Sequence, residues 1–242
     1  MITDQQIFQR YEKKYLLDER QLLSLLAKLK DQMQQDAFGV HTISNIYYDT
    51  ENYDLIRTSL DKPVYKEKLR IRGYGTIKES SKVFLEIKKK YKGIVYKRRI
   101  ALPCWEAQEW MLKGRAPRQK QQITAEIEWF LKIYALMPKV FLAYDRSAWF
   151  GNEDSELRVT FDQNIRFRDS ALDLTKGSWG IPLLSPKQTL MEIKIPGAMP
   201  LWLARELSNL SVTPISFSKY GECYKNYLIQ DTDKNKGGII CA

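Results

Sequence analysis

The chain has 242 residues, 44% apolar and 12% aromatic, which is ample for a packed core and excludes an intrinsically disordered protein. Lys and Arg number 39 against 29 Asp and Glu, a formal net charge of +10 that points to polyanionic partners: nucleic acid, an anionic membrane surface or condensed phosphates. The N-terminal MITDQQIFQRYEKKY lacks a signal peptide's apolar core, and no run approaches the roughly 18 to 20 apolar residues of a membrane-spanning helix, so a soluble, cytoplasmic chain with no intrinsic membrane segment is expected.

Side chains alternate faces along a strand, so residues i, i+2 and i+4 share a side. Gln9–Leu17 alternates in this way, with Arg10, Glu12 and Lys14 together. A helix is predicted over Asp18–Asp36, where Asp18 with Gln21 makes a capping-box start and Leu22, Leu25, Leu26, Leu29 and Met33 recur at helical spacing. His41 precedes the apolar stretch Ile43–Tyr48 and is assigned a plain surface role. Glu67–Gly73 places Lys68, Arg70 and Arg72 on one face and Leu69 and Ile71 on the other. Lys82–Tyr91 sets Glu86, Lys88 and Lys90 against Val83, Leu85 and Ile87, and Ile94–Leu102 aligns Lys97 with Arg99.

Two shorter helices are predicted next, Ala107–Lys113 and Ile123–Met137, the second stopped by Pro138. Val140–Ala148 aligns Tyr144 with Arg146. Leu157–Gln163 sets Arg158, Thr160 and Asp162 against Leu157, Val159 and Phe161, and Thr189–Ile195 sets Glu192 and Lys194 against Met191, Ile193 and Ile195. A last helix is predicted from Pro200 to Leu210, with Leu201, Ala204, Leu207 and Leu210 on one stripe. Ser216–Tyr220 follows as a final strand that offers Ser218 and Lys219.

Any one of these strands fits an antiparallel sheet with an ordinary solvated face. As a set they say more, because the charged faces are rich in Arg and Lys strand after strand and the amphipathic helices need an apolar surface to cover. An α+β fold is therefore expected, a closed antiparallel β-barrel of about eight strands flanked by helices, its charged face turned inward to form a basic tunnel. Cations facing one another across a lumen repel unless carboxylates or a polyanion neutralise them.

Three cysteines, Cys104, Cys223 and Cys241, show neither CxxC spacing nor a disulfide framework, as suits a reducing compartment. With His41 the only histidine, His-based zinc sites and Ser-His-Asp triads are nearly excluded. No GxxxxGK[ST] loop is present, so phosphate binding falls to side chains.

RYEKKY (Arg10–Tyr15), KLRIRGYG (Lys68–Gly75), FLEIKKK (Phe84–Lys90), YDRSAWFG (Tyr144–Gly151), LRVTFD (Leu157–Asp162), LMEIKIPG (Leu190–Gly197) and FSKY (Phe217–Tyr220) resemble, in order, the strands of the VTC (vacuolar transporter chaperone) domain. That domain belongs to the triphosphate tunnel metalloenzymes, the CYTH-like superfamily. The resemblance runs from about Arg10 to Tyr227 and implies one domain over residues 1–230, with residues 231–242 a polar tail. It implies a polyphosphate polymerase that transfers the γ-phosphoryl of ATP to a growing inorganic polyphosphate chain, with Mn²⁺ or Mg²⁺. Carried over motif by motif, the phosphate-binding side chains are Lys14, Arg70, Arg72, Lys88, Arg146, Arg158, Lys194 and Lys219. Lys97 and Arg99 join them from a basic hairpin whose alignment can be read either way. Arg70, Arg72, Lys88, Arg146 and Lys219 are the implied catalytic set, and Glu192 the implied metal ligand. Ser216 departs from the family pattern, which in fungi usually has lysine there. With no SPX domain preceding the barrel and no membrane segment following it, neither inositol pyrophosphate control nor translocation of product is implied.

Phosphoryl transfer needs positioning and charge neutralisation rather than covalent work by protein, which suits such residues. Hydrolytic relatives open with E-x-E-x-K, where this chain has Arg10, Glu12 and Lys14; Glu12 and Glu86 are read equally as ion-pair partners or as parts of the site. A tripolyphosphatase or nucleoside triphosphatase of the same fold, or a non-catalytic polyphosphate-binding module, remains the alternative. No nucleic acid partner is expected, because Tyr47, Tyr48, Trp149 and Phe150 lie in apolar runs or at strand ends rather than as stacking platforms. Tyr74, between Gly73 and Gly75, is read as packing a turn.

Overall fold

A computed structural model describes residues 11–92, 94–118 and 121–229. Arg10 and the tail 231–242 lie outside the described residues, as does Cys241; Cys104 and Cys223 are buried free thiols.

Strands β1 (Tyr11–Leu17), β3 (His41–Asp49), β4 (Tyr65–Tyr74), β5 (Lys82–Tyr91), β6 (Ile94–Pro103), β7 (Met137–Gly151), β8 (Arg158–Arg168) and β10 (Thr189–Ile195) form one antiparallel sheet in the order β1-β10-β8-β7-β3-β4-β5-β6. Two short strands add to it, β2 (Met33–Gln35) on β7 and β9 (Ile181–Pro182) on β8. The expected closed barrel is not what forms. The sheet is curved and open, with β1 and β6 at its two ends. One cause is visible at β1, where the Ile215 amide bonds the Lys14 carbonyl at 2.7 Å and Lys14 Nζ donates to the Phe217 carbonyl at 2.9 Å. The segment leading into α6 (Lys219–Cys223) thus takes a place on β1 that a neighbouring strand would need.

The helices are α1 (Glu19–Gln32), α2 (Asp54–Leu60), α3 (Cys104–Lys113), α4 (Gln122–Ile133), α5 (Leu201–Asn209) and α6, which runs into a π-helical turn over Tyr224–Leu228. Helix α1 opens on the predicted capping box: Asp18 accepts from the Gln21 amide at 2.7 Å and Gln21 accepts from the Asp18 amide at 3.0 Å. It stops at Gln32 instead of reaching Asp36, because Met33–Gln35 turns extended and pairs with the overhanging end of β7. Helix α4 likewise ends at Ile133, short of Met137. Tyr134 is extended, and Pro138 sits in β7 opposite Tyr48, beside a register shift where its missing N–H is tolerated. In α5 the buried positions are Leu203 and Leu207, whereas Leu201 is 69% exposed, so the expected stripe is rotated. Ser216–Tyr220 is not a strand: Ser218 accepts from the Gly221 amide as the N-cap of α6.

Two apolar layers cover the convex face. Leu69, Ile71, Leu85, Ile87 and Ile100 pack beneath Trp110 of α3 and Ile127 and Phe130 of α4. Tyr15, Val159, Phe161, Met191 and Ile193 pack beneath Leu25 and Leu29 of α1 and Leu203 and Leu207 of α5. On the concave side, Tyr220, Tyr224 and Leu228 pack against Tyr47, Leu142 and Phe167, filling one part of that face. The rest is left to the charged residues.

Candidate functional site

The concave face holds a cavity of about 210 Å³ into which nine Lys and Arg side chains and three Glu side chains converge. A larger groove, about 660 Å³ between β1, β10 and α5, is lined mainly by Tyr11, Tyr15, Ile195, Met199, Leu207 and Val212 and gathers no converging charges. The charged side chains gather in the smaller cavity.

Strand register builds one wall. Tyr47 pairs with Arg70, Arg70 with Glu86, and Lys68 with Lys88, which in turn faces Lys97. Arg70 Nε and Nη2 lie 2.9 and 2.7 Å from Glu86 Oε2, its Nη1 donates to the Tyr47 oxygen at 2.9 Å, and Lys97 Nζ lies 2.9 Å from Glu86 Oε1. Burial opposes ionisation of Glu86, but Arg70, Arg72 and Lys97 override it and hold the carboxyl well below the usual range. Arg72 is fixed by neutral partners instead, Asn45 Oδ1 at 2.9 Å and the Tyr144 oxygen at 3.0 Å, so its charge stays available to a ligand.

The opposite wall comes from β1, β7, β10 and α6. Arg146 grips Asp162 through Nε and Nη2 at 2.5 and 2.6 Å, and Lys219 Nζ reaches the same carboxylate at 2.6 Å. Glu192 is held more loosely, by Lys219 at 3.2 Å, Arg146 at 3.5 Å and Lys14 at 3.7 Å. Burial opposes its charge, yet Lys219, Lys14 and Arg146 keep it well below the ordinary value. Glu12 lies 3.5 Å from Lys14 and 3.9 Å from Lys194, and it too is lowered, despite burial and the Glu192 charge. Glu12 and Glu86 are thus ion-pair partners within the site.

Several cations are destabilised. Burial, with Lys88, Lys66 and Lys14 nearby, pushes Lys68 down to about 8; its Nζ has Ser218 Oγ at 3.4 Å. Burial takes Lys97 down to about 8 and lowers Lys194; Lys88, an exposed residue, is lowered by desolvation in the cavity together with the Arg70 and Lys14 charges. Burial would raise the Tyr47 phenol, but Arg70, Arg72 and Lys68 bring it to about 8. A cavity with these properties is short of negative charge.

Of the residues singled out from sequence, Lys14, Arg70, Arg72, Lys88, Lys97, Arg146, Lys194, Lys219 and Glu192 come together here. Arg99 and Arg158 do not line the cavity. Arg99 is exposed on the end strand β6, 4.6 Å from the Phe84 ring, and Arg158 lies 5.0 Å from the Phe150 ring. Tyr47, Tyr144, Ser218 and Tyr220 join the lining, and Asp162 anchors it from behind; of these the strand alternation singles out Tyr144, Ser218 and Asp162 without assigning them to the site. Lys68 also belongs, and its alternation with Arg70 and Arg72 was signal enough to include it. His41 is half-buried rather than plainly on the surface, its ring 6.0 Å from Tyr74.

The sequence profile of the VTC domain matches residues 9–228. The chain belongs to the VTC-domain family. No curated protein matches it in sequence. Among solved structures it is similar to a Hippeastrum protein described as a "putative adenylyl cyclase" that "reveals a dominant triphosphatase activity", at 16% identity and a TM-score of 0.54, over 89% of this VTC chain and 94% of that one. A "putative adenylate cyclase" from Bacillus halodurans gives 15% identity and a TM-score of 0.52, over 86% and 92% of the two chains. At these identities the likeness establishes the fold alone, a curved antiparallel sheet with flanking helices. No helix of the described residues is long and apolar enough to cross a membrane.

Among the described residues, no three metal-ligating side chains cluster. Glu192 nevertheless fits a hard divalent ion of the kind that takes one or two carboxylates and completes its shell with phosphate and water oxygens. Its contacts at 3.2 to 3.7 Å leave lone pairs open, whereas Asp162 is saturated at 2.5 to 2.6 Å.

Proposed function

We propose that this VTC domain, spanning residues 1–230, is a polyphosphate polymerase that moves the γ-phosphoryl group of ATP onto the end of a polyphosphate chain and releases ADP. Arg70, Arg72, Lys68 and Lys88 hold the phosphates from one wall, and Arg146, Lys219, Lys14 and Lys194 from the other. Arg supplies planar forks for phosphate oxygens and Lys supplies point charges. A terminal phosphate oxygen of the chain attacks the γ-phosphorus, the bond to the β-phosphate bridging oxygen breaks, and ADP leaves with that electron pair. Lys and Arg neutralise the oxygens on which charge builds. Glu192, with Glu12 beside it, would hold Mn²⁺ or Mg²⁺. When bound, the ion screens phosphate from carboxylate and polarises phosphoryl oxygens.

One observation favours this over hydrolysis. Glu12, Glu86 and Glu192 are all engaged by Lys or Arg side chains, so none is free to take a proton from an attacking water. Water must lose a proton to attack, whereas a terminal phosphate is already an anion and needs no base. The triphosphatase activity described for the Hippeastrum structure supports hydrolysis as the second reading. The test is incubation with ATP and Mn²⁺ followed by separation of ADP, orthophosphate and polyphosphate. ADP and polyphosphate rising in step support transfer to a chain. Orthophosphate as the sole phosphate product makes the domain a triphosphatase, and no ADP at all makes it a binding module.

A further inference from the structure

The inward-facing rows of β4 and β5 do not end where the cavity ends. The lining stops at Lys68 on β4 and Lys88 on β5. Two residues further out, on the same face, stand Lys66 and Lys90, which are cross-strand partners just as Lys68 and Lys88 are. Like charges directly opposite on neighbouring strands destabilise a sheet. Here two such pairs stand in succession, and among the described residues none of these four lysines has a carboxylate within ion-pair distance. Burial and the charges of Lys90, Lys88 and Lys62 all disfavour the charged form of Lys66, whose Nζ donates only to the Ser59 carbonyl at 3.0 Å. Lys90 is exposed, so the row opens to solvent. Protection of a sheet edge does not account for it, since β4 and β5 are interior strands.

The other end of the same two rows is different in kind. Beyond Arg72 comes Tyr74, edge-on to Phe84 at 5.9 Å, with His41 6.0 Å from Tyr74. The two rows thus leave the cavity on paired lysines at one end and on aromatic side chains at the other, where Arg99 of β6 stands 4.6 Å from the Phe84 ring.

We infer that Lys66 and Lys90, with Lys62 beside them, form an outer phosphate track along which a polyphosphate longer than three units leaves the cavity, so that chain length is sensed outside the catalytic cations. The inference rests on the reading of the cavity as a condensed-phosphate site. A triphosphate is satisfied within the cavity. A longer chain lays further negative charge across the outer Lys66–Lys90 pair, relieves its repulsion and gains affinity that a triphosphate cannot.

The test is calorimetric titration of wild type and of a Lys66→Gln, Lys90→Gln double variant with inorganic tripolyphosphate and with long-chain sodium polyphosphate, in chelating buffer. The double variant should bind long-chain polyphosphate about tenfold more weakly, with tripolyphosphate affinity kept within about twofold. Its thermal midpoint should stay the same or rise, because repulsion is removed. Equal losses for both ligands, or no loss for either, overturn the track while leaving the cavity reading intact. A wild type that binds neither ligand overturns both.

Discussion

Arg146 and Asp162 face each other across the β7–β8 ladder and are joined by two hydrogen bonds of 2.5 and 2.6 Å, with Asp162 fully buried. Lys219, from the far end of the chain, bonds the same carboxylate at 2.6 Å and so ties α6 to the sheet. Replacing Asp162 by Asn keeps the shape and leaves two buried cations with only the longer contacts to Glu192, at 3.5 and 3.2 Å, as counter-charge. Breaking a buried pair in this way costs about 3 to 5 kcal/mol. Urea unfolding of Asp162→Asn should show a loss of that order; a change under about 1 kcal/mol would mean the pair is not what holds α6 in place.

Anion affinity should fall as pH rises through about 8. Lys68 and Lys97 are brought there by burial, and Tyr47 by the Arg70, Arg72 and Lys68 charges acting against burial. Over that range the free site loses cations and gains a phenolate, so binding of tripolyphosphate must draw protons from buffer. The stability of the unliganded protein moves the other way. Between about 8 and the ordinary lysine value of 10.5 the unfolded chain holds more protons than the folded one, so stability increases with pH in that window. Titrations in buffers of different ionisation enthalpy should show proton uptake near pH 8, and Lys68→Arg, which keeps its charge, should blunt the fall. A flat affinity from pH 7 to 9.5 would contradict the assignment.

The alternation of Lys68, Arg70 and Arg72, of Glu86 and Lys88, and of Glu192 and Lys194 was legible because a strand's period of two is a local property. The partners were not. That Glu86 pairs with Arg70 and Lys97, or that Asp162 is shared by Arg146 and Lys219, depends on register between strands far apart in sequence. Tyr47 lies in an apolar run that reads as core, and only its cross-strand position opposite Arg70 turns its oxygen toward the site. Closure of the sheet was overread: the Ile215 bridge to Lys14 comes from a segment with no strand pattern. Ser218 did carry a local signal, since Ser is a strong helix N-cap, but reading Ser216–Tyr220 as a strand hides it.

Glu192→Gln separates metal use from anion binding. Its three cationic neighbours lose a competing carboxylate, so tripolyphosphate in chelating buffer should bind as tightly as to wild type or more tightly. ADP formation from ATP with Mn²⁺ should be lost. Full activity of the variant would remove Glu192 from any metal role.

The central claim is that the inward-facing cations form a condensed-phosphate site, and Arg72 tests it most cleanly, because its hydrogen-bond partners Asn45 and Tyr144 are neutral and Glu86 keeps Arg70 and Lys97 when Arg72 is removed. The measurement is calorimetric titration of wild type and Arg72→Ala with inorganic tripolyphosphate in chelating buffer at pH 7. The expected result is clear binding by wild type and a loss of about 1.5 to 3 kcal/mol in the variant, roughly ten- to hundredfold in affinity, with the fold intact by thermal unfolding. Wild-type protein that does not bind, or an Arg72→Ala variant whose affinity stays within about twofold of wild type, would contradict it.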